Sequence, residues 1–361
     1  MPSALILAIL PLAWWPARCK PYMAFVEPKV WVILIALTMA AFCWERVTAP
    51  ARPLRIAICV WILWLAVAFQ FSVDPMDSFL GRQNDYSTGF LSVCAYALLF
   101  LCASKVPDEQ QDELISMAIK AAAVCSFIGI LQYIGSYTGH ISKSLGGRGV
   151  GLIGGPPAFG AYLAMIAPLA YRKRALGALS VIILGVGASG SRGAFLALFA
   201  GVLATMALSR EWEIPKSWKL AVIALLMALP GFLVRPLMMS DAGRLEAWGH
   251  AWQQGLNRSW FGYGVFAAVA PSQGPMFLHH HAHNDFLEAF ATAGAPGAVI
   301  YIAIWAMLAY YAMRARRPEL AGALVALFLS LKINPPCIVG CAVGAVLAGL
   351  MVSRSEDEWG L

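Results

Sequence analysis

The densest run of titratable side chains in this chain is His279-His280-His281-Ala282-His283-Asn284-Asp285-Phe286-Leu287-Glu288. Three chemistries compete there. One imidazole can act as a general base, with its ring fixed by a polar neighbour. Several imidazoles can bind zinc, joined by Asp285 or Glu288. A polar run can also be a solvated loop. Contiguous histidines point different ways on an extended chain, which puts a preorganised metal site last. Spacing leaves the loop and the base open. A second set of groups is cationic: Arg82, Arg148, Arg192, Arg235, Arg244 and Arg258. For any one of them, a snorkelling tip residue is the plainer reading. Taken together they suit an anionic headgroup, because a guanidinium fork matches phosphate oxygens bidentately. Arg192, in Ala188-Ser189-Gly190-Ser191-Arg192-Gly193, lies between two short apolar runs and is the most telling. Arg82 and Arg148 rank below Arg192 and Arg244. Gly146-Gly147-Arg148-Gly149 and the stretch from Gly151 to Pro157 form a glycine-rich loop. No Gly-Lys-Ser/Thr follows it, so it is no Walker loop and reads as a turn.

The elements that must position these groups are helices. Asn284 or Asp285 can cap a helix, and Glu288, three residues after Asp285, fits a capping box with Asp as cap. Gly294 ends that helix, and Pro296 suits the first turn of the next. The pattern predicts a short broken helix leading into a membrane span, with His283 at the mouth of a cavity. Broken helices at membrane depth occur only where they face protein or a water-filled cavity.

Composition agrees. Of 361 residues, 60% are hydrophobic and 12% charged, against roughly a quarter charged in soluble chains. A dozen helices of about 20 residues would leave roughly 120 for loops. The expectation is an all-α, polytopic integral membrane protein of about 12 spans, one membrane domain over 1–361 with no room for a soluble one. Apolar runs fall near 3–16, 22–44, 54–72, 88–104, 114–136, 156–171, 175–189, 193–208, 218–234, 297–313, 319–332 and 336–352. The net charge of +7 then reflects topology signals and cations facing an anionic substrate rather than nucleic acid. Seven cysteines lie in or beside apolar runs and only Cys19 in a polar stretch, so no disulfide framework is read. No basic residue precedes the first run, which argues against a cleaved signal peptide.

Basic residues set the orientation. Arg172-Lys173-Arg174 and Arg314, Arg316, Arg317 are the clearest markers; Arg46, Arg52, Arg55 and Arg210, Lys216, Lys219 agree with them. All fall on one side if both termini are cytoplasmic. Arg18 and Lys20 disagree, and the first helix is left unoriented. Outer segments then lie near 73–87, 137–155, 190–192 and 235–296, plus a turn at 332–335. All six histidines fall on this outer side. The long loop 235–296 carries aromatic pieces such as Trp260-Phe261 and is expected to fold onto the membrane surface.

In this order and on this side, several motifs resemble the bacterial O-antigen ligase and polymerase family. His283-Asn284, nine residues, Gly294, two residues, Gly297 is similar to its signature. Gly243-Arg244-Leu245-Glu246-Ala247-Trp248 followed by Gly262-Tyr263-Gly264-Val265-Phe266 resembles its Arg…Trp…Gly-x-Gly-aromatic run. Ser191-Arg192-Gly193 looks like its Ser-Arg-Gly turn, and Asp74-Pro75, Ser78 to Gly81 and Gly89 resemble its first outer loop. Arg148 to Leu163 loosely follows its middle loop. Departures are Gly155 and Pro157 flanking Pro156, where the family has Asn, and Ser259, where it commonly has Pro.

The resemblance implies a GT-C-like bundle in the bacterial inner membrane, with its site facing the periplasm. It implies a cofactor-free, metal-independent glycosyltransferase of lipopolysaccharide assembly. The donor would be an undecaprenyl-pyrophosphate-linked glycan, and the acceptor a glycan or lipid A-core hydroxyl. Carried over, Arg192 and Arg244 hold the pyrophosphate and His283 takes the acceptor proton; Arg148, Arg82, Asn284, Trp248 and His281 bind substrate. The same motifs serve ligase and polymerase, with a slight lean to ligase. A secondary transporter and a zinc hydrolase are the alternatives. A transporter would place ionisable groups at the midplane, where this chain is nearly charge-free apart from Lys120.

Overall fold

The computed structural model describes residues 2–14, 23–42, 52–81, 87–138, 147–209, 239–264, 282–334 and 336–353, with the backbone alone for 23–24, 41–42, 137 and 239–244. Every regular element among them is helical: α1 (Pro2–Leu12), α2 (Met23–Phe42), α3 (Arg52–Gln70), α4 (Pro75–Leu80), α5 (Phe90–Ala103), α6 (Asp108–Tyr137), α7 (Pro156–Arg172), α8 (Leu176–Ser189), α9 (Arg192–Leu208), α10 (Met239–Asn257), α11 (Asp285–Met313), α12 (Pro318–Leu331) and α13 (Ile338–Met351).

The expected dozen spans are met only in part. Among the described residues three helices, Arg52–Gln70, Asp108–Ser136 and Asp285–Met313, are long and apolar enough to cross a bilayer. Several runs that read as spans are shorter helices: α5, α8, α12 and α13 have 14 residues each. Such a helix covers about 21 Å at roughly 1.5 Å per residue, less than the ~30 Å hydrocarbon core. Sheltering neighbours make this tolerable. α7 is buried almost throughout and packs against α8, α9 and α12. Small residues bring the backbones together: a Cβ on Gly201 would stand 2.8 Å from the Gly322 carbonyl oxygen. Thr205 Oγ1 donates to Gly201 O at 3.0 Å. Dispersion between close backbones replaces the hydrophobic drive that lipid cannot supply.

One end of the bundle is tied by charge. Asp112, one turn into α6, pairs with Lys173 after α7 at 2.8 Å and with Arg317 before α12. Two of the basic markers therefore share one end, as their parity requires. The break in α11 lies at the other end, since Pro296 to Met313 covers about 27 Å.

Lys29 in α2 is wholly buried, and its Nζ donates to the carbonyl oxygens of Ala13 (3.1 Å), Leu152 (2.8 Å) and Phe25. Its three donors thus staple α1 and the glycine-rich loop to α2, a role that hydropathy does not announce.

α10 has three faces, because residues return to one side every 3.6 positions. Ala247, Ala251 and Gln254 are buried. Glu246, His250, Gln253 and Asn257 are exposed on a polar face, with His250 Nε2 3.6 Å from Glu246. Between these faces lies a bare apolar stripe of Leu245, Trp252 and Leu256, continued by Trp260, all at least half exposed.

Candidate active site at the break in α11

α11 is two arms joined at Gly294, whose φ of 70° and ψ of −177° end one helix and start another. Asp285 in the first arm and Tyr301 in the second are 16 positions apart, about 24 Å along a straight helix. Tyr301 Oη nevertheless donates to Asp285 Oδ2 at 2.8 Å, so the arms fold into a V. Tyr301 lies about two turns into the long arm. The N-terminus of the short arm therefore stands some 10 Å along the long arm from the break, at roughly 1.5 Å per residue.

A seam holds the V open at a fixed angle. The last carbonyls of a helix have no partner within it. Here Tyr263 N–H donates to Ala291 O at 3.0 Å and Gly264 N–H to Thr292 O at 3.1 Å. Trp64 Nε1 donates to Ala293 O at 2.8 Å. Across the break, Ala295 N–H donates to Ser259 O at 2.7 Å. Gly262 has φ 65°, and a Cβ there would fall 2.7 Å from the Ala293 nitrogen. The Gly262-Tyr263-Gly264 motif is thus a backbone seam. Val73 N–H donates to Tyr263 O at 3.0 Å and ties the connection between α3 and α4 to it. Arg258 belongs to the same scaffold, with Nη1 3.3 Å from Phe71 O and its guanidinium over the Tyr263 ring.

The N-terminal cap is Asn284, whose Oδ1 accepts from Phe286 N at 3.1 Å and Leu287 N at 3.4 Å. That corrects the capping box built on Asp285: Glu288 instead accepts from Ala282 N at 2.8 Å. These three bonds grip the chain on both sides of His283, which is half-buried and adopts φ 53°. A side chain rarely takes that conformation unless its surroundings impose it. Asp285, relieved of capping, meets the Lys332 ammonium at the end of α12. Lys332 lies against Phe286 (3.1 Å to the ring centroid), Phe328 (4.5 Å) and Trp305 (5.9 Å). Burial there pulls its pKa below the ordinary lysine range, with Asp285 opposing the shift.

The α8–α9 turn abuts the same corner. Gly190 (φ 57°) ends α8, and Ser191 caps α9, accepting from Ala194 N at 3.4 Å. Arg192, half-buried, is the first residue of α9. A Cβ on Gly193 would touch Ile333 and Asn334 at 3.0–3.3 Å, next to Lys332. Arg148 Nε donates to Ser189 O at 2.6 Å, and Gly149 N–H to Ala188 O at 2.9 Å. Arg148 is thereby brought to the Arg192 turn, a closer association than its rank in the sequence suggested.

α10 supplies the other side. Gly255 packs on the Phe290 ring, and Ala251 clusters with Ala282, Leu287 and Ala291. Both pairings descend together, so α10 runs parallel to the short arm and its middle, around Trp248 to Ala251, lies toward the start of that arm. Trp248 is there, its Nε1 buried with no hydrogen-bond partner among the described residues. The backbone of Arg244, one turn earlier, is helical; its side chain, Arg82, and His279, His280 and His281 lie outside the described residues. Among the described residues no three His, Cys, Asp or Glu converge as metal ligands.

Below the short arm opens an apolar cavity of about 250 Å³. Its walls include Trp61 and Ile58 of α3, Phe100 of α5, Ile304 and Leu308 of α11 and Leu327 of α12, with Asp285, Glu288, Thr292 and Thr88 among its polar positions. Sequence reasoning anticipated a cavity with His283 at its mouth; Asp285 and Glu288 line this one and His283 does not, and Lys332 and Tyr301 were missed. The one available signal was a lysine persisting in the outer turn at 332–335, where cations are usually scarce.

These features define a helical membrane protein with an imidazole, two arginines and a buried ion pair gathered at one end, over an apolar cavity. Over residues 177–302 the chain matches the family described as O-antigen ligase. That match supports a place among the O-antigen ligases and polymerases and covers about a third of the chain. The match takes in Arg192, Arg244, Trp248, His283, Asn284 and Gly294, and leaves Arg148 and Lys332 outside it. No curated protein matches the chain.

Proposed function

We propose that the protein is a metal-independent glycosyltransferase that moves a glycan from undecaprenyl pyrophosphate to an acceptor sugar hydroxyl at the periplasmic face of the inner membrane. The ligase reaction, with lipid A-core as acceptor, is preferred to polymerisation of lipid-linked glycans. What supports this reading is a run of contacts: His283 precedes Asp285, whose partner Lys332 adjoins Ile333 and Asn334 against Gly193, Arg148 Nε donates to Ser189 O beside the Arg192 turn, and Ala251 of α10 clusters with Ala282. His283 takes the acceptor proton, a task suited to a group titrating near neutrality. Arg192 and Arg148, with Arg244, grip the pyrophosphate and stabilise the charge that develops as the glycosyl–oxygen bond breaks. The N-terminus of α9 adds its dipole to the Arg192 charge, and both favour an anion there. The cavity below suits the polyprenyl chain, which is apolar like its walls. The bare stripe of α10 lies in the outer interface, as Trp-rich amphipathic faces do. Asn284, Trp248, Arg82 and His281 complete the substrate-binding set.

The test is transfer from a synthetic lipid-pyrophosphate glycan in nanodiscs. His283→Ala should abolish transfer in a protein that still inserts. Full activity in that variant removes the base. Attachment to lipid A-core marks a ligase; lengthening of the lipid-linked chain marks a polymerase.

A further inference from the structure

A carboxylate in the first turn of a helix ordinarily serves that helix's own N-terminus. Asp285 does not, because Asn284 holds the cap and Glu288 the preceding amide. Its oxygens are spent on two other elements: Tyr301 on the far arm of α11 and Lys332 at the end of α12. The side chains of Lys332 and Asp285 are only 15% and 10% exposed. A buried pair of this kind tolerates the loss of neither partner, since the survivor is left as an uncompensated charge.

We propose that Lys332 is a positioning residue. Through Asp285 and Tyr301 it braces the two arms of α11 and fixes the imidazole of His283, two residues before Asp285. Three points favour this over direct contact with a substrate phosphate. The Lys332 charge is already matched by Asp285. The ammonium is sheathed by Phe286 and Phe328. The brace closes a V whose seam lies at the opposite tip, so the angle at Gly294 has a support at each end. His283 at φ 53° needs such over-determination. The inference rests on the reading of His283 as the base.

The experiment uses the full chain in nanodiscs with Lys332→Met, Tyr301→Phe and the charge exchange Lys332→Asp with Asp285→Lys. Transfer is measured per folded molecule with kcat and KM separated, alongside hydrogen exchange of amides 285–293. Lys332→Met should lower kcat about 10–100-fold, the scale of an ångström displacement of a reacting group. KM for the donor should stay within about threefold, and exchange in the short arm should quicken. Tyr301→Phe, which loses only a hydroxyl, should show the same pattern more weakly, and the charge exchange should restore part of kcat. Unchanged kcat and exchange would overturn the brace. A raised KM at constant kcat would also overturn it, making Lys332 a substrate ligand. His283→Ala separates the two readings: transfer surviving in it removes the base, whereas an inactive His283→Ala beside a normal Lys332→Met removes the brace alone. If the wild type transfers nothing, the proposed function fails, and exchange in Lys332→Met still decides the brace.

Discussion

Gly294→Ala tests the geometry most directly. At φ 70° and ψ −177° the backbone occupies a region open essentially to glycine, and forcing a Cβ there costs about 1–3 kcal/mol. That Cβ would also stand 2.8 Å from Ser259 O and closer still to Trp260 O. The clash is with backbone, so no side chain can swing away. Relief requires the Ser259–Trp260 segment to retreat, which breaks the bond from Ala295 N–H to Ser259 O. Overpacking of this sort adds about 1–3 kcal/mol, for a destabilisation on the order of 2–6 kcal/mol. Gly249→Ala is the control. It lies on the bare face of α10 with nothing within 4 Å of a built Cβ, and alanine in a helix interior gains roughly 0.5–1 kcal/mol over glycine. The same chemical change should therefore shift stability in opposite directions at the two sites. Unfolding in mixed micelles, followed by tryptophan fluorescence, reads both. Coincident midpoints for Gly294→Ala and Gly249→Ala would refute the V and its seam.

Three further outcomes follow from individual contacts. Arg148→Ala removes the donor to Ser189 O; donor KM should rise about tenfold, some 1.4 kcal/mol, and Arg148→Lys should not restore it, because an ammonium lacks the guanidinium fork. Kinetics with unaltered donor KM would sever Arg148 from the site. Lys29→Met leaves the carbonyls of Ala13 and Leu152 without their donor, at about 1–3 kcal/mol each; an unfolding midpoint equal to wild type would contradict the staple. Trp252 and Trp260, at 50% and 70% exposure, should be quenched by lipids brominated near the headgroup when all other tryptophans are Phe. Fluorescence indifferent to bromine would lift α10 off the bilayer.

What could be read in advance was whatever depends on near neighbours in the chain. Gly294 and Pro296 announce a break because glycine frees φ and proline removes a donor, and the break is there. The basic markers announce a shared end because loop charge obeys a parity, and Asp112 gathers two of them. Contacts across angles were not legible. Asp285 looked like a cap from the spacing of Glu288, yet its partners stand 16 and 47 positions away. Those distances depend on how sharply α11 bends and where α12 ends, and no local pattern carries either quantity. The span count is met only in part for a related reason. Hydropathy measures apolar length, but a 14-residue helix flanked by protein needs less of it than one facing lipid on all sides. Lys29 shows the converse: one charge in an apolar run leaves the average high, so a buried staple passes unseen.

The motifs shared with the ligase family divide accordingly. A helix that stops inside the membrane leaves carbonyls that no water can satisfy, each worth several kcal/mol. For the short arm of α11 the donors are Tyr263 N–H, Gly264 N–H and Trp64 Nε1, meeting Ala291, Thr292 and Ala293 in succession. Two are backbone amides, which any residue except proline can supply; the glycines around them are required because the seam leaves no room for a Cβ. The Gly-x-Gly run and Gly294 are thus two halves of one contact separated by some thirty positions, and their order in the chain is a condition for the break rather than a mark of chemistry. Arg192 and His283 stand where local preference opposes them: a cation at the start of a helix opposes its dipole, and an imidazole at φ 53° is strained. Identities that helix electrostatics and backbone preference disfavour at their positions are the ones to which the proposal gives the chemistry.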